Sequence, residues 1–156
     1  MADSAITFAS GEVSSYYTAR VPHLKQRRAA EWPSNLPEGK KDVHTLEPWG
    51  LVASCNPGGS GNSHLYAGWA DSFRGRHIVI LPDNDEPGRK HAAAVAAALL
   101  TVATSVRMVE LPGLPAKGDV ADWRDAGGTF ERYREICLGC CHFRRITDTF
   151  PIKEAG

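Results

Sequence analysis

Apolar residues in this chain fall into short continuous runs that alternate with helix-like segments. Runs of strand length occur at residues 51–55, 77–81 and 106–111, and the middle run is rich in β-branched side chains. Segments 40–49, 65–73 and 89–104 have the spacing or composition of helices, and Thr129 can cap a further helix at 130–136. Strands that are apolar throughout and alternate with helices are typical of a parallel sheet covered on both faces. The pattern therefore predicts an α/β fold.

Composition narrows the class of protein. The chain has 156 residues, which suits one domain with additional ends. Its 18 Lys and Arg balance 18 Asp and Glu, which argues against non-specific coating of nucleic acid but allows a local acidic site beside a basic rim. The longest apolar run, 92–103, is mostly alanine and shorter than the ~20 residues of a membrane span. No signal peptide and no disulfide framework are evident, so a cytoplasmic location is expected.

Acidic residues follow the central predicted strand. Asp83 and Asp85 come directly after residues 77–81, and open α/β sheets bind ligands beyond the carboxyl ends of their strands. Two carboxylates so close together repel each other unless one is protonated or a cation is bound. Hard oxygen ligands suit Mg²⁺. The same turn also suits a helix N-terminus, with Pro87 in the first turn, so a capping role remains an alternative.

Four motifs in a fixed order make the pattern more specific. They are Glu38-Gly39-x-x-Asp42, Asn56-Pro57-Gly58-Gly59, Leu81-Pro82-Asp83-Asn84-Asp85-Glu86-Pro87-Gly88 and Lys117-Gly118-Asp119-Val120-Ala121-Asp122-Trp123. Together they resemble a Toprim domain, in the form found in primases and primase-helicase proteins of phages, plasmids and other mobile elements. The resemblance covers residues 38–130 and implies a Rossmann-like parallel sheet of about four strands with flanking helices.

The resemblance also implies an activity and its residues. It makes Glu38 the catalytic acid/base or metal-linked glutamate, and it makes Asp83 and Asp85 ligands of Mg²⁺ or Mn²⁺. Asp42, Asp119 and Asp122 are the additional acidic residues of the matching motifs. The implied reaction is primase-type nucleotidyl transfer in DNA replication. The implied partners are single-stranded DNA and nucleotides, with a replicative helicase as a further candidate and no membrane.

Basic residues near the acidic turn are candidates for contacts to phosphate. They are Arg74, Arg76, Arg89 and Lys90. Each of them also fits an ordinary solvated surface charge, and the sequence does not separate the two interpretations.

Three features depart from the family pattern. Pro33 and Pro37 flank the segment that should form the first strand, which we therefore expect to be weak or missing. Lys40 stands where these primases often carry another acid. Residues 1–37 resemble the start of a primase zinc-binding region without its ligands, which suggests an internal deletion near residue 35. We therefore divide the chain into this remnant, a Toprim-like domain at 38–130, and a C-terminal helix with a loose tail at 131–156.

Two further questions follow from the cysteines and from the chain length. Cys137, Cys140 and Cys141 lie beside His142, but they form half of a zinc site at most, so zinc is not expected. The chain has no room for a separate template-gripping subdomain, which leaves its status as an enzyme open. The alternatives are a catalytically silent nucleic-acid- or partner-binding remnant and a Toprim-type nuclease. Whether Glu38 lies within metal-bridging reach of Asp83 and Asp85 distinguishes an active site from a silent one.

Overall fold

The computed structural model describes residues 33–55 and 70–138. The first part of the predicted helix at 65–73, the zinc-region remnant before residue 33, and Cys140 and Cys141 lie outside these ranges. The elements are β1 (Ser34–Pro37), α1 (Lys40–Leu46), a 3₁₀ turn (Glu47–Trp49), a second 3₁₀ turn (Ala70–Phe73), β2 (His77–Leu81), α2 (Glu86–Leu99), β3 (Ser105–Met108), α3 (Val120–Asp125) and α4 (Phe130–Leu138).

Within residues 33–55 and 70–138 the sheet has three parallel strands in the order β1-β2-β3, which confirms the α/β prediction. The expected count is about four strands, but residues 51–55 contribute a single bridge, between Ala53 and Asn35, instead of a further strand. This bridge lies on the side of β1 away from β2. After β1 the chain first adds the residue Ala53 on one side of β1 and later adds β2 on the other side. The topological switch point of the sheet therefore lies between β1 and β2.

Two prolines limit the pairing of β1 on the side that faces Ala53. The Asn35 N–H donates to the Val52 carbonyl at 2.8 Å, and the Ser54 N–H donates to the Asn35 carbonyl at 3.0 Å. Alternate residues of a strand face the same neighbour, so Pro33 and Pro37 face this side as well and have no N–H to extend the ladder. Pairing here stops at one bridge.

The other side of β1 is unaffected by the prolines. By the same alternation Ser34 and Leu36 direct their N–H groups toward β2, and β1 pairs with β2 along its whole length. The expectation of a weak or missing first strand is therefore wrong. A well-formed strand at this position also counts against an internal deletion near residue 35.

Helices cover both faces of the sheet. On one face α2 packs its Ala92, Val95 and Leu99 against strand residues such as Ile78 and Ile80. The other face is covered by α1, α3 and α4, and its buried members include Leu46, Val79, Leu81, Trp123 and Tyr133. The folded unit thus includes β1, which precedes the expected boundary at residue 38, and α4, which extends beyond the expected boundary at 130.

A buried hydrogen bond ties α4 to the sheet. The Tyr133 hydroxyl donates to Asn35 Oδ1 at 2.6 Å, while the Asn35 amide nitrogen donates to the carbonyls of Pro33 and Val52. Both side chains are almost fully buried, at 2% and 1% exposure.

The variant Tyr133→Phe is expected to lower the free energy of unfolding by about 1–2 kcal/mol, because it leaves the Asn35 acceptor buried without a partner. Urea denaturation measures this loss. In a double-mutant cycle, adding Tyr133→Phe to Asn35→Ala should cost clearly less than Tyr133→Phe alone. Fully additive losses would show that this hydrogen bond does not stabilise the fold.

Within residues 33–55 and 70–138, no helix is long and apolar enough to cross a membrane.

Candidate functional site

An acidic cluster lies at the carboxyl edge of the sheet. Glu38 follows β1, and Asp83 follows β2 after one intervening residue. The two residues therefore lie on either side of the switch point between these strands, which is where open α/β sheets bind ligands.

Gly88, in the first turn of α2, lies against this cluster. A methyl group at position 88 would lie 2.9 Å from the Asp83 carbonyl oxygen and 3.0 Å from both Asp85 Oδ1 and Glu38 Oε2. Glycine is thus what allows the helix to approach all three acidic residues. Glu38 Oε2 and Asp85 Oδ1 both border the small space that a methyl group at position 88 would occupy.

Glu38 carries a polar atom that nothing in its surroundings satisfies. Its Oε2 is buried and accepts no hydrogen bond within the part of the chain that the structure describes. A buried carboxylate oxygen without a partner is costly, so such atoms usually have a donor or a cation beside them. The donor set therefore fits a bound cation.

Asp83 lies in a strongly negative environment. Burial raises its pKa from 3.8 to about 7, and nearby acidic residues, first of all Glu38, raise it in the same direction. The other contributors are Asp42, Asp119 and Asp85. A cation bound here would favour the ionised form of Asp83, so the electrostatics also fit a metal ion.

Asp85 performs the capping role that its sequence also allowed. It is the N-cap residue of α2, and its Oδ1 accepts the Gly88 N–H at 2.7 Å. Its own N–H donates to the Asp83 carbonyl at 2.8 Å. The turn between the two aspartates is therefore fixed directly onto the start of the helix.

Asn84, which the sequence analysis did not single out, anchors the same turn to a neighbouring loop. Its amide nitrogen donates to the carbonyls of Leu114 and Pro115, each at 2.9 Å, and its backbone N–H donates to the Gly118 carbonyl. Its position between two aspartates was the one signal of a special role. Through Asn84 the turn is held against residues 114–118.

The remaining acidic residues have structural partners. Asp42 is 3% exposed, and its Oδ1 accepts the Ala121 N–H at 3.0 Å, which joins α1 to α3. Burial raises the pKa of Asp42 to about 6. Asp119 caps α3 by accepting the Asp122 N–H, while Asp122 accepts the Asp119 N–H, so the pair forms a capping box.

A lysine partly neutralises this cluster. Lys41 Nζ lies 2.5 Å from Asp119 Oδ2. Burial by itself would raise the pKa of Asp119, but the hydrogen bond and charge of Lys41, together with the backbone N–H groups of Asp122 and Ala121, outweigh burial and lower the pKa. Lys40, the residue that departs from the family pattern, is exposed at the start of α1, whereas its neighbour Lys41 makes the ion pair with Asp119.

The candidate phosphate contacts divide into two groups. Arg89 lies beside the site, where its Nη2 donates to Asn84 Oδ1 at 2.7 Å and its Nε donates to Glu110 at 3.0 Å. Lys90, one residue further along α2, is exposed and pairs with Glu86 at 3.5 Å. Both belong to the helix that begins at the acidic cluster.

The structure does not bring Arg74 and Arg76 to the acidic edge. Both precede β2 and therefore lie at the opposite, amino end of the sheet. Arg74 pairs there with Asp71 at 2.5 Å, and an Arg76 guanidinium nitrogen lies 3.4 Å from Ser34 Oγ at the start of β1.

Within residues 33–55 and 70–138, no three Asp, Glu, His or Cys side chains are grouped so that they could hold an ion by themselves. Mg²⁺ does not require such a group, because it usually keeps several waters and takes one or two carboxylates together with substrate phosphates. Of the cysteines in these ranges, Cys55 and Cys137 are free thiols, and Cys137 is buried beside Tyr133.

No protein-family model, no curated protein and no solved structure matches the chain. The described part of the chain is an α/β unit with three parallel strands and an acidic carboxyl edge.

Proposed function

We propose that this chain is a Toprim-type domain of a primase-like protein, which carries out Mg²⁺-dependent nucleotidyl transfer in the DNA replication of a mobile element. The observation that carries the proposal is the approach of Glu38, Asp83 and Asp85 to one glycine at the carboxyl edge of the sheet. The order of motifs along the chain supports the same family. Its substrates would be nucleotides and a single-stranded DNA template.

In this proposal Asp83 and Asp85 hold Mg²⁺ or Mn²⁺, and substrate phosphates complete the coordination. The ion would neutralise charge on the reacting phosphate. The elevated pKa of Asp83 supports this role, because a site that disfavours its own negative charge gains most from a cation.

Glu38 would act on the proton of the attacking hydroxyl. Its buried and unpaired Oε2 is an acceptor at this edge that a substrate hydroxyl could use. The first turn of α2 supplies backbone N–H groups and the positive end of a 14-residue helix, which favour a phosphate group beside the aspartates.

A second candidate function is a catalytically silent domain that binds nucleic acid or a protein partner. Two observations favour it: Asp85 already uses one oxygen for the helix cap, and Lys41 places a cation at the rim of the cluster. Both features reduce the charge available to a metal ion.

Metal titration tests the proposal. The variants Asp83→Asn and Asp85→Asn should each weaken binding of Mg²⁺ or Mn²⁺ at least tenfold by calorimetry, because each removes a charged ligand. Asparagine also caps helices well, so Asp85→Asn should retain the start of α2. Asp125→Asn, an exposed residue paired with Arg124, serves as the matched control and should bind as the wild type does. Equal binding by all four proteins contradicts the metal site.

Activity assays then distinguish the candidates. Incubation with single-stranded DNA, nucleotides and Mg²⁺ should give primer synthesis that Glu38→Gln abolishes. Cleavage of the DNA without synthesis would identify a nuclease. Metal binding with neither reaction would identify the silent domain.

A further inference from the structure

A polar cleft adjoins the acidic cluster on the side away from β1. It lies between the carboxyl ends of β2 and β3, has a volume of about 200 Å³, and is lined by residues that include Asp83, Glu110, Gly113 and Leu114. Pockets for drug-sized ligands measure ~300–1,000 Å³. This cleft is therefore suited to a single ring rather than to a whole nucleotide.

The charged walls of the cleft present hydrogen-bond acceptors. Asp83 forms part of one wall and Glu110 part of the other. The donors of Asn84, which also lines the cleft, are directed to the carbonyls of Leu114 and Pro115. A ligand here is therefore recognised by its own donors, such as hydroxyl groups, and phosphate is repelled toward the start of α2.

Glu110 is held in place although it is exposed. Its side chain is 65% exposed, and one of its oxygens accepts the Arg89 Nε–H at 3.0 Å. The same guanidinium donates to Asn84 Oδ1 at 2.7 Å. Arg89 thereby fixes Glu110 relative to the turn that carries Asp83 and Asp85.

We propose that this cleft binds the sugar of a ribonucleotide and that Glu110 accepts a hydrogen bond from its 2′-hydroxyl. Acidic side chains recognise ribose hydroxyls in this way at the carboxyl edges of other α/β sheets. The inference rests on the proposed function, because it requires a metal ion on Asp83 and Asp85 that would bind the phosphates of the same nucleotide. It assigns Glu110 as the residue that distinguishes ribonucleotides from deoxyribonucleotides.

Paired nucleotides test this assignment. Binding of ATP and 2′-deoxy-ATP to the full chain is measured by calorimetry with Ca²⁺ in place of Mg²⁺, so that no turnover occurs. The wild type should bind ATP about tenfold more tightly, as expected for one hydrogen bond to a charged group. Glu110→Ala should bind both nucleotides equally. Glu135→Ala, which removes an exposed carboxylate on α4, should retain the preference.

A second set of binding measurements determines whether the sugar belongs to a free nucleotide or to the 3′ end of an RNA. A short RNA and the same RNA with a 2′-deoxy 3′ end are compared in place of the free nucleotides. Discrimination in either arm that depends on Glu110 supports the sugar site, and the arm that shows it identifies the source.

Two outcomes overturn the assignment. The first is equal binding by the wild type in both arms, and the second is a preference that survives Glu110→Ala. Either result leaves the metal site intact if Mg²⁺ still binds in an Asp83-dependent manner without nucleotide, so failure of this inference is distinguishable from failure of the proposed function.

Discussion

Gly88→Ala is expected to lower the free energy of unfolding by about 2 kcal/mol, although alanine is normally the better helix residue by ~1 kcal/mol. The added methyl group would lie within 3.0 Å of oxygens from Glu38, Asp83 and Asp85. Because the Asp83 oxygen belongs to the backbone, it cannot move aside by rotating a side chain, and α2 must shift away from the cluster. The same variant should therefore lose most of its affinity for Mg²⁺.

Two measurements check this result. Urea denaturation at pH 7.5 gives the change in stability, and calorimetric titration gives the change in metal affinity. Ala94→Gly, on the exposed face of α2, sets the ordinary effect of exchanging the two residues in this helix and should leave Mg²⁺ binding unchanged. If Gly88→Ala instead stabilises the protein, the close approach of the helix to the acidic residues is wrong.

Local sequence patterns predicted some elements because local forces determine them. The strand at 77–81 was placed at its observed bounds, since a β-branched apolar run followed by proline has few alternatives. The helix α2 was also expected, though its start at Glu86 was placed three residues late. The capping residue Asp85 marks that start, and it was interpreted chiefly as a metal ligand.

Elements that depend on distant contacts were harder to predict. The strand β1 has two prolines and one aliphatic residue in the segment 33–37, and it forms because its partner β2 supplies a complete edge. Its Asn35 is satisfied by Tyr133, which lies 98 positions away in sequence. The short helix α3 was missed as well, because its Asp119–Asp122 capping box was assigned to an acidic motif.

Some residues of the candidate site were likewise predicted from the sequence and others were not. The resemblance of the motifs selected Glu38, Asp83 and Asp85, and the structure brings atoms of all three against Gly88. Arg74 was selected because it is close to Asp83 in sequence. A residue just before a strand, however, lies at the opposite end of the sheet from a residue just after it. The direction of the strand alone would have excluded Arg74.

Stability is expected to fall as the pH rises from 4 to 7.5. Asp83 and Asp42 have pKa values raised from 3.8 to about 7 and about 6, mainly by burial. A carboxyl group whose pKa is raised in the folded state stabilises that state fully below pH 3.8 and loses this contribution as the pH passes through the raised value. The pKa of Asp119 is lowered from 3.8, so its contribution to stability changes with pH only below about 3.8, which is outside the range from pH 4 to 7.5.

Thermal denaturation of Asp83→Asn beside the wild type isolates the effect of Asp83. The variant should be more stable by about 1–2 kcal/mol at pH 7.5, a figure reduced for solvent screening of a half-exposed group, and nearly equal to the wild type at pH 4. Asp125→Asn, the exposed control, should follow the wild-type curve. Parallel curves for Asp83→Asn and the wild type would show that Asp83 ionises without a penalty.

Magnesium should act in the opposite direction to pH. At pH 7.5 a bound cation offsets the repulsion around Asp83, so saturating Mg²⁺ should raise the melting temperature of the wild type. At pH 4, where Asp83 is protonated, the same addition should change little. A rise at pH 7.5 that is as large in Asp83→Asn as in the wild type would mean that the ion binds elsewhere. The metal and the proton would then not compete for this carboxylate, and the proposal of a metal site at the acidic edge would be contradicted.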